Sequence, residues 1–319
     1  MVTISDRGTF VKERAPEGNE RAKAPFPFFW PNGMNRPALC PDPPYAPHRT
    51  GTSAGRMAAD AARPETPLQH HWPRSRLHGG TNEGMHARLL LVHSPLVGCR
   101  TWEPVASELA ADGYAVTVPD LASAVAAGLP YHVRQAQVIA SCAPGEPVIL
   151  IGHSRAGPLL ATAGTMLGDA VQGYVFVDAR LPAPGRSWME TMTPGFAARL
   201  REMADSQGQL PPWSQWWGEE ELADLVPDPA VRRHFVAGCP RLPLAMLEEV
   251  HPPAPGWPDA PGGYLQLSEA YEGEAARARE LGWPVRQMPS HHLALLTQPG
   301  PVAREVRQLI DRSQAAPDS

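Results

Sequence analysis

Apolar residues in this chain gather into short runs that begin abruptly at residue 88. The segments 88–93 (RLLLVH), 114–118 (YAVTV), 148–151 (VILI), 174–177 (YVFV), 264–267 (YLQL) and 285–288 (VRQM) are strand-length, and most are apolar without alternation. Between most of them apolar residues recur with helical period, at 102–111, 131–140, 158–167, 274–281 and 302–310. The first of these closes on Asp112-Gly113, a helix C-terminal signal. Strands buried on both faces and alternating with helices predict an α/β architecture, a mostly parallel six-stranded sheet flanked by helices. One interval breaks the rhythm. Residues 182–261 are too many for an ordinary crossover and predict a helical lid inserted before the last two strands. Its tryptophans, Trp188, Trp213, Trp216, Trp217 and Trp257, suit either the roof of an apolar pocket or the packing of lid on body.

The first 85 residues follow neither period. Proline is frequent there and blocks helix and central strand alike, so a disordered or extended Pro-rich N-terminal extension is predicted, followed by one domain over 86–319. A wrongly assigned start, with Met85 the functional one, is a second explanation; peptides from residues 1–80 in the native protein refute it. The His70-His71 pair in this stretch has no further ligands spaced around it and reads as solvated coil rather than a metal site.

Bulk chemistry narrows the function. A formal net charge of -5 argues against nucleic acid as the partner, since phosphate recognition needs a basic face. No window approaches the roughly 20 apolar residues that span a bilayer, and the charged N-terminus lacks the apolar core of a secretory signal. Cys40, Cys99, Cys142 and Cys239 lie far apart without metal-ligand spacing and read as reduced thiols in a cytoplasmic protein. No metal or organic cofactor is implied, and the expected partner is a small-molecule substrate.

The sharpest signal is the junction at 150–161, ILIGHSRAGPLL. A buried strand gives way to a helix across Gly152-His153-Ser154-Arg155-Ala156, with small residues two places either side of the serine. Such a turn forces strained backbone angles on its central residue and lifts that side chain above the sheet edge. It also aims a helix N-terminus at the serine, making the Arg155 amide a natural donor to developing negative charge. The alternative is a serine helix cap. The flanking strand, the following helix and the place within an alternating chain favour a nucleophile.

Together, LLLVHSPLVGCRTW, VTVPDL, ILIGHSRAG, YVFVDARLP and HHLALLTQP resemble the α/β-hydrolase superfamily over residues 88 to about 312. More narrowly they are similar to the small esterase group that contains plant methyl-ester hydrolases and hydroxynitrile lyases. The resemblance implies a chain order of serine, acid, histidine. A base following the last strand must then be one of His291-His292, and the family's proline seven residues after its histidine matches His292 with Pro299. The acid is expected at the end of strand 264–267. Glu269 holds the family position when helix starts are aligned, and Glu272 does so with a shorter loop. Asp178, ending the previous strand, stands where a minority of these enzymes place it and otherwise reads as a capping carboxylate.

The chain departs from the family in one place. The second oxyanion donor normally comes from a His-Gly-x loop after the first strand, and here that loop is His93-Ser94-Pro95-Leu96. Proline has no N–H, so the Leu96 amide or the Ser94 hydroxyl must replace it, or turnover is feeble. The expected activity is cleavage of a small hydrophobic ester through an acyl-enzyme, with Ser154 as nucleophile, His292 as base, Glu269 as acid, and Arg155 with Leu96 or Ser94 as oxyanion donors. Two alternatives stand beside it. A hydroxynitrile lyase also carries a hydroxyl residue after that first histidine, but needs a lysine where this chain has Leu293. A catalytically weak binding protein of the same fold is the other.

Overall fold

The computed structural model describes residues 69–71 and 87–314. Its main sheet is built from β1 (Gln69–His71), β2 (Arg88–Val92), β3 (Val116–Pro119), β4 (Val148–His153), β5 (Val171–Val177), and, beyond an insertion, β8 (Gly262–Gln266) and β9 (Val285–Gln287), in the order β1-β3-β2-β4-β5-β8-β9. In the insertion, β6 (Gln209–Leu210) and β7 (Leu242–Pro243) form a separate two-stranded ribbon. From β3 to β9 every pairing in the main sheet is parallel, which gives the six expected strands. The seventh, β1, pairs antiparallel with β3 at the edge, so part of the stretch expected to be coil is a strand that includes His70 and His71. The remainder of the expectation for residues 1–85, Met85 included, lies outside the described residues.

Side-chain alternation along the strands divides the core between the two faces of the sheet. Leu89, Leu91, Ile149, Ile151, Val175 and Val177 pack with the helices Glu103–Ala111 and Pro299–Gln314. Their alternates Leu90, Val92, Leu150, Tyr174 and Phe176 pack with the helices Tyr131–Ser141, Gly157–Leu167 and Glu272–Glu280. All these strand residues are buried, and each large aliphatic among them contributes roughly 2 kcal/mol by leaving water.

The insertion is mostly helical, with Pro194–Met203, Glu219–Leu225, Pro229–Gly238 and Leu244–Glu248, and has its own apolar cluster. Trp213, Trp216 and Trp217 are consumed by that cluster, packing on Phe196 and Phe235. Trp257 instead packs on Phe176 and Trp283. The lid tryptophans therefore serve mainly as packing.

This topology decides where chemistry can sit. Strand β3 lies on one side of β2 and β4 on the other, so the chain reverses its direction of progress across the sheet at the β2–β4 boundary. Loops leaving neighbouring parallel strands at such a boundary splay apart and leave a crevice at the carboxyl edge. Val92 pairs with Gly152, which brings 93–97 beside the turn at Ser154.

Candidate active site

After β4 the chain passes through a short 3-10 turn, Ser154–Ala156, into the helix Gly157–Leu167. Ser154 has φ 59°, a left-handed conformation that costs an L-residue roughly 1–2 kcal/mol. Close passage of strand and helix holds it there. A Cβ on Gly152 would meet the Leu160 side chain at 3.0–3.2 Å, and one on Gly157 would stand 1.8 Å from the Arg180 carbonyl oxygen. Ala156 is buried as the sequence pattern requires, but Gly157 is the position that tolerates no side chain.

His292 Nε2 lies 2.9 Å from Ser154 Oγ, and His292 Nδ1 lies 2.8 Å from Asp178 Oδ2. The serine hydroxyl thus donates to one ring nitrogen, while the other donates to a carboxylate. Of the adjacent pair, His291 turns away. It is fully buried, its Nε2 is 3.1 Å from Thr297 Oγ1, and its Nδ1 accepts the Leu293 amide at 3.1 Å. Burial, with His292 beside it, lowers its pKa to about 3.

The imidazole's carboxylate partner is Asp178, a correction to the expectation of Glu269. Glu269 is exposed at the start of the 3-10 turn Glu269–Tyr271. Glu272 is exposed too, and its carboxylate pairs with Arg279. Asp178 directly follows β5 with φ 43° and is completely buried. Its Oδ1 accepts the Leu267 and Ser268 amides at 2.9 and 3.0 Å, and its Oδ2 accepts the Ser268 hydroxyl at 2.7 Å. Those bonds tie it across to the end of β8, so the carboxylate reaches the same edge as one carried by β8 itself. The neighbouring helix uses Glu274, not Glu269, to hold Arg180 and Arg277.

Two further side chains support the imidazole. Tyr271 stacks on it, ring centroids 5.0 Å apart and planes at 5°. Its phenol is pushed up to about 12, first by burial and then by Asp178, and stays neutral. His153, following Gly152 on β4, donates from Nε2 to the His292 carbonyl at 2.9 Å. Sequence reasoning missed both. The aromatic four residues after the end of strand 264–267, on a loop facing the histidine, was the available signal for Tyr271.

The loop after β2 answers the question raised by Pro95. The Leu96 amide donates to Ser94 Oγ at 3.3 Å, so this expected oxyanion donor is already occupied. The amides of Val97 and Gly98 both turn to the Ser94 carbonyl. Accepting through its oxygen leaves the Ser94 hydroxyl hydrogen free to donate. His93 braces the turn: its Nδ1 lies 2.9 Å from the Ser94 carbonyl and its Nε2 accepts the Leu121 amide. At Arg155 the backbone N–H stands in the first turn after Ser154, where amides lack partners within the helix. A cleft lies against this corner, lined among others by Pro95, Leu96, Arg155 and Leu159 of the body and by Met246 and His251 of the insertion.

The Alpha/beta hydrolase family model matches residues 89–305, more than two thirds of the chain. The chain belongs to the alpha/beta hydrolase family. Among similar α/β-hydrolases, the probable esterase PIR7A of Oryza sativa subsp. indica is 28% identical over 153 residues, 43% of this chain and 58% of that protein. The polyneuridine aldehyde esterase of Rauvolfia serpentina is 28% identical over 120 residues, 35% of this chain and 46% of its own length. The chain thus spans about half the length of the curated relatives it matches. An extracellular α/β-hydrolase from a Paenibacillus species superposes with a TM-score of 0.59 at 18% identity, covering 72% of this chain and 100% of that one. A pyrethroid hydrolase from Sphingobium faniae superposes with 0.56 at 19% identity, covering 70% and 97%. At such identities the two superpositions establish the shared fold alone. Among the described residues no helix is long and apolar enough to cross a membrane, and no cluster of His, Cys, Asp or Glu is placed to hold a metal ion.

Proposed function

We propose that this α/β-hydrolase is a serine esterase acting on small esters through an acyl-enzyme. The observation that carries the reading is the unbroken hydrogen-bonded line from Ser154 Oγ through His292 to Asp178, at 2.9 and 2.8 Å. Ser154 Oγ attacks the ester carbonyl carbon while His292 Nε2 takes its proton. Asp178 holds the Nδ1–H tautomer and stabilises the imidazolium. Negative charge on the former carbonyl oxygen is met by the Arg155 amide and the Ser94 hydroxyl. As the tetrahedral adduct collapses, the C–O bond to the alcohol breaks and His292 returns the proton to the leaving oxygen. Water, deprotonated by the same imidazole, then attacks the acyl-enzyme, releasing the acid and restoring Ser154. The chemistry calls for no metal or organic cofactor. Relatives named as esterases, among them methyl jasmonate esterase 1 of Vitis vinifera, 32% identical over 111 residues, support an ester substrate.

The lyase alternative shares the serine hydroxyl at position 94 but not the expected cation after the base. Leu293 is buried with insertion residues in an apolar cluster. A serine-directed fluorophosphonate is expected to label the peptide containing Ser154 and to abolish turnover of short aryl esters. Ser154→Ala is expected to lose label and turnover together. Wild-type protein that neither labels nor outpaces Ser154→Ala overturns the esterase reading. Aldehyde and cyanide release from cyanohydrins without ester turnover would move the assignment to the lyase.

A further inference from the structure

The side chain of Arg155 is not explained by the chemistry above, which uses only its backbone amide. Arg155 lines the cleft, and its guanidinium sits over the Trp188 ring, 3.9 Å from the ring centroid. Among the described residues it has no ion pair, and no carboxylate approaches it within hydrogen-bonding range. The other arginine at this corner, Arg180, is paired with Glu274. Glu249 also lines the cleft, but its Oε2 accepts the His132 amide at 2.8 Å, capping the helix Tyr131–Ser141. The two imidazoles in the wall supply no counter-charge. The rings of His132 and His251 lie 4.7 Å apart, tilted by 39°; burial, then His251 and then Arg155, lowers the His132 pKa to about 3, and burial with Arg155 lowers that of His251 to about 4. His251 Nδ1 is buried without a hydrogen-bond partner.

An arginine stays protonated at any working pH. Burial removes its hydration, and the nearby Arg180 adds like charge, so both disfavour the cation. Stacking on Trp188 recovers part of that cost and leaves the guanidinium edge, with its planar fork of N–H donors, unspent. A carboxylate is the complementary group. Of the remaining wall, Pro95, Leu96, Pro158, Leu159 and Met246 are apolar and suit a short hydrocarbon spacer, and Gln135 is the one polar residue among them.

We infer that the cleft selects esters carrying a second, ionised carboxylate, which the Arg155 guanidinium binds while Ser154 attacks the ester carbonyl. The inference rests on the esterase reading and specifies its substrate class.

The test compares matched substrate pairs at pH 7 and low salt, each rate divided by that ester's alkaline hydrolysis rate. 4-Nitrophenyl hydrogen glutarate against 4-nitrophenyl butyrate puts the charge on the acyl side. 4-Acetoxybenzoate against phenyl acetate puts it on the alcohol side. In at least one pair the wild type is expected to favour the anion about 10- to 100-fold in kcat/KM, the range for a lost charge-assisted hydrogen bond. In Arg155→Met that ratio falls to about one, and the change appears mainly in KM. Arg155→Lys keeps the charge and recovers part of the preference. A readout independent of turnover is titration calorimetry of monomethyl glutarate into Ser154→Ala, with binding expected there and lost in Ser154→Ala/Arg155→Met. A wild type that favours the neutral ester in both pairs, or a ratio unmoved by Arg155→Met, overturns the inference. Labelling at Ser154 still tests the esterase reading separately, so either can fail without the other.

Discussion

At the carboxyl edge of the sheet, Asp178 is completely buried yet accepts hydrogen bonds from the Leu267 and Ser268 amides, the Ser268 hydroxyl and His292. One residue on from Ser154, Arg155 lines the cleft with an indole against its guanidinium and, among the described residues, no ion-pair partner. Both regions take charge out of water, and only one settles that charge internally. The sheet edge is preorganised: its strained residues, Ser154 and Asp178, are the two non-glycine positions with positive φ among the described residues, and each is held by neighbouring strands. Strain and satisfied polarity together mark groups that must not move during reaction. The cleft wall is unfinished, with a cation and a buried imidazole nitrogen awaiting partners. On the proposed reading, the difference separates what performs the chemistry from what chooses the substrate.

The largest effect tests the finished half. Asp178→Asn keeps the shape but offers His292 Nδ1 a group able to favour the wrong tautomer, so kcat should fall about 10⁴-fold. Glu269→Gln, at an exposed site, should stay within about threefold of wild type. Steady-state rates on a neutral aryl ester check both. Equal and small effects would dissolve the contrast and return the role of acid to a carboxylate elsewhere. Next comes the packing that imposes the strain. Gly157→Ala drives a Cβ into the Arg180 carbonyl, and a forced backbone shift of this kind should destabilise the protein by about 3 kcal/mol, read from denaturant midpoints.

How legible each half was in the sequence follows from the same physics. Continuous apolar runs marked most of the parallel strands because a strand covered on both faces leaves no polar option, whereas the edge strand Val285–Gln287 is only partly buried and carries Arg286 and Gln287. The turn at Ser154 was legible because close passage demands small residues at fixed offsets, although the tightest of them is Gly157 rather than Ala156. His292 was distinguishable from His291 through its interval to Pro299. The acid was misplaced because Glu269 and Asp178 differ in reach, not in local pattern: β5 and β8 are neighbours, and carboxylates leaving either can approach one imidazole. A charged residue directly after the buried run YVFV is the signal, and a capping role accounts for the same pattern. The edge strand Gln69–His71 was invisible because its pairing with β3 comes from a partner about 48 residues away, as for His70 with Val118, not from periodicity. That the Leu96 amide is occupied by Ser94 Oγ is visible only in the loop's own geometry.

A smaller effect probes the seam between the halves, the oxyanion corner. Ser94→Ala removes the hydroxyl proposed to replace the amide that Pro95 lacks, and kcat should drop about 10²-fold with KM little changed. The same substitution releases the Leu96 amide from its bond to Ser94 Oγ. A kcat unchanged by Ser94→Ala would therefore assign the donor role to Leu96 rather than to the hydroxyl.

The smallest effect per group is on stability and separates the cleft wall from the sheet edge by pH. His132, His251 and His291 are buried with pKa values lowered to about 3, about 4 and about 3, against about 6.5 for the unfolded chain. Between those limits the unfolded chain binds protons that the folded protein refuses, so stability falls as pH falls from about 6.5 towards 4 and is fully present above that window. Each group contributes a slope of up to about 1.4 kcal/mol per pH unit. His132→Asn and His291→Gln should each flatten the decline of Tm with acid, whatever they do to Tm at pH 7. Only His132 and His251 face Arg155, so an anion seated in the cleft should raise their pKa values by screening that cation, and leave His291 where it is. Imidazole titrations followed by NMR with and without glutarate would show that selectivity; a shift shared equally by His291 would mean the anion acts on the whole fold rather than at the cleft.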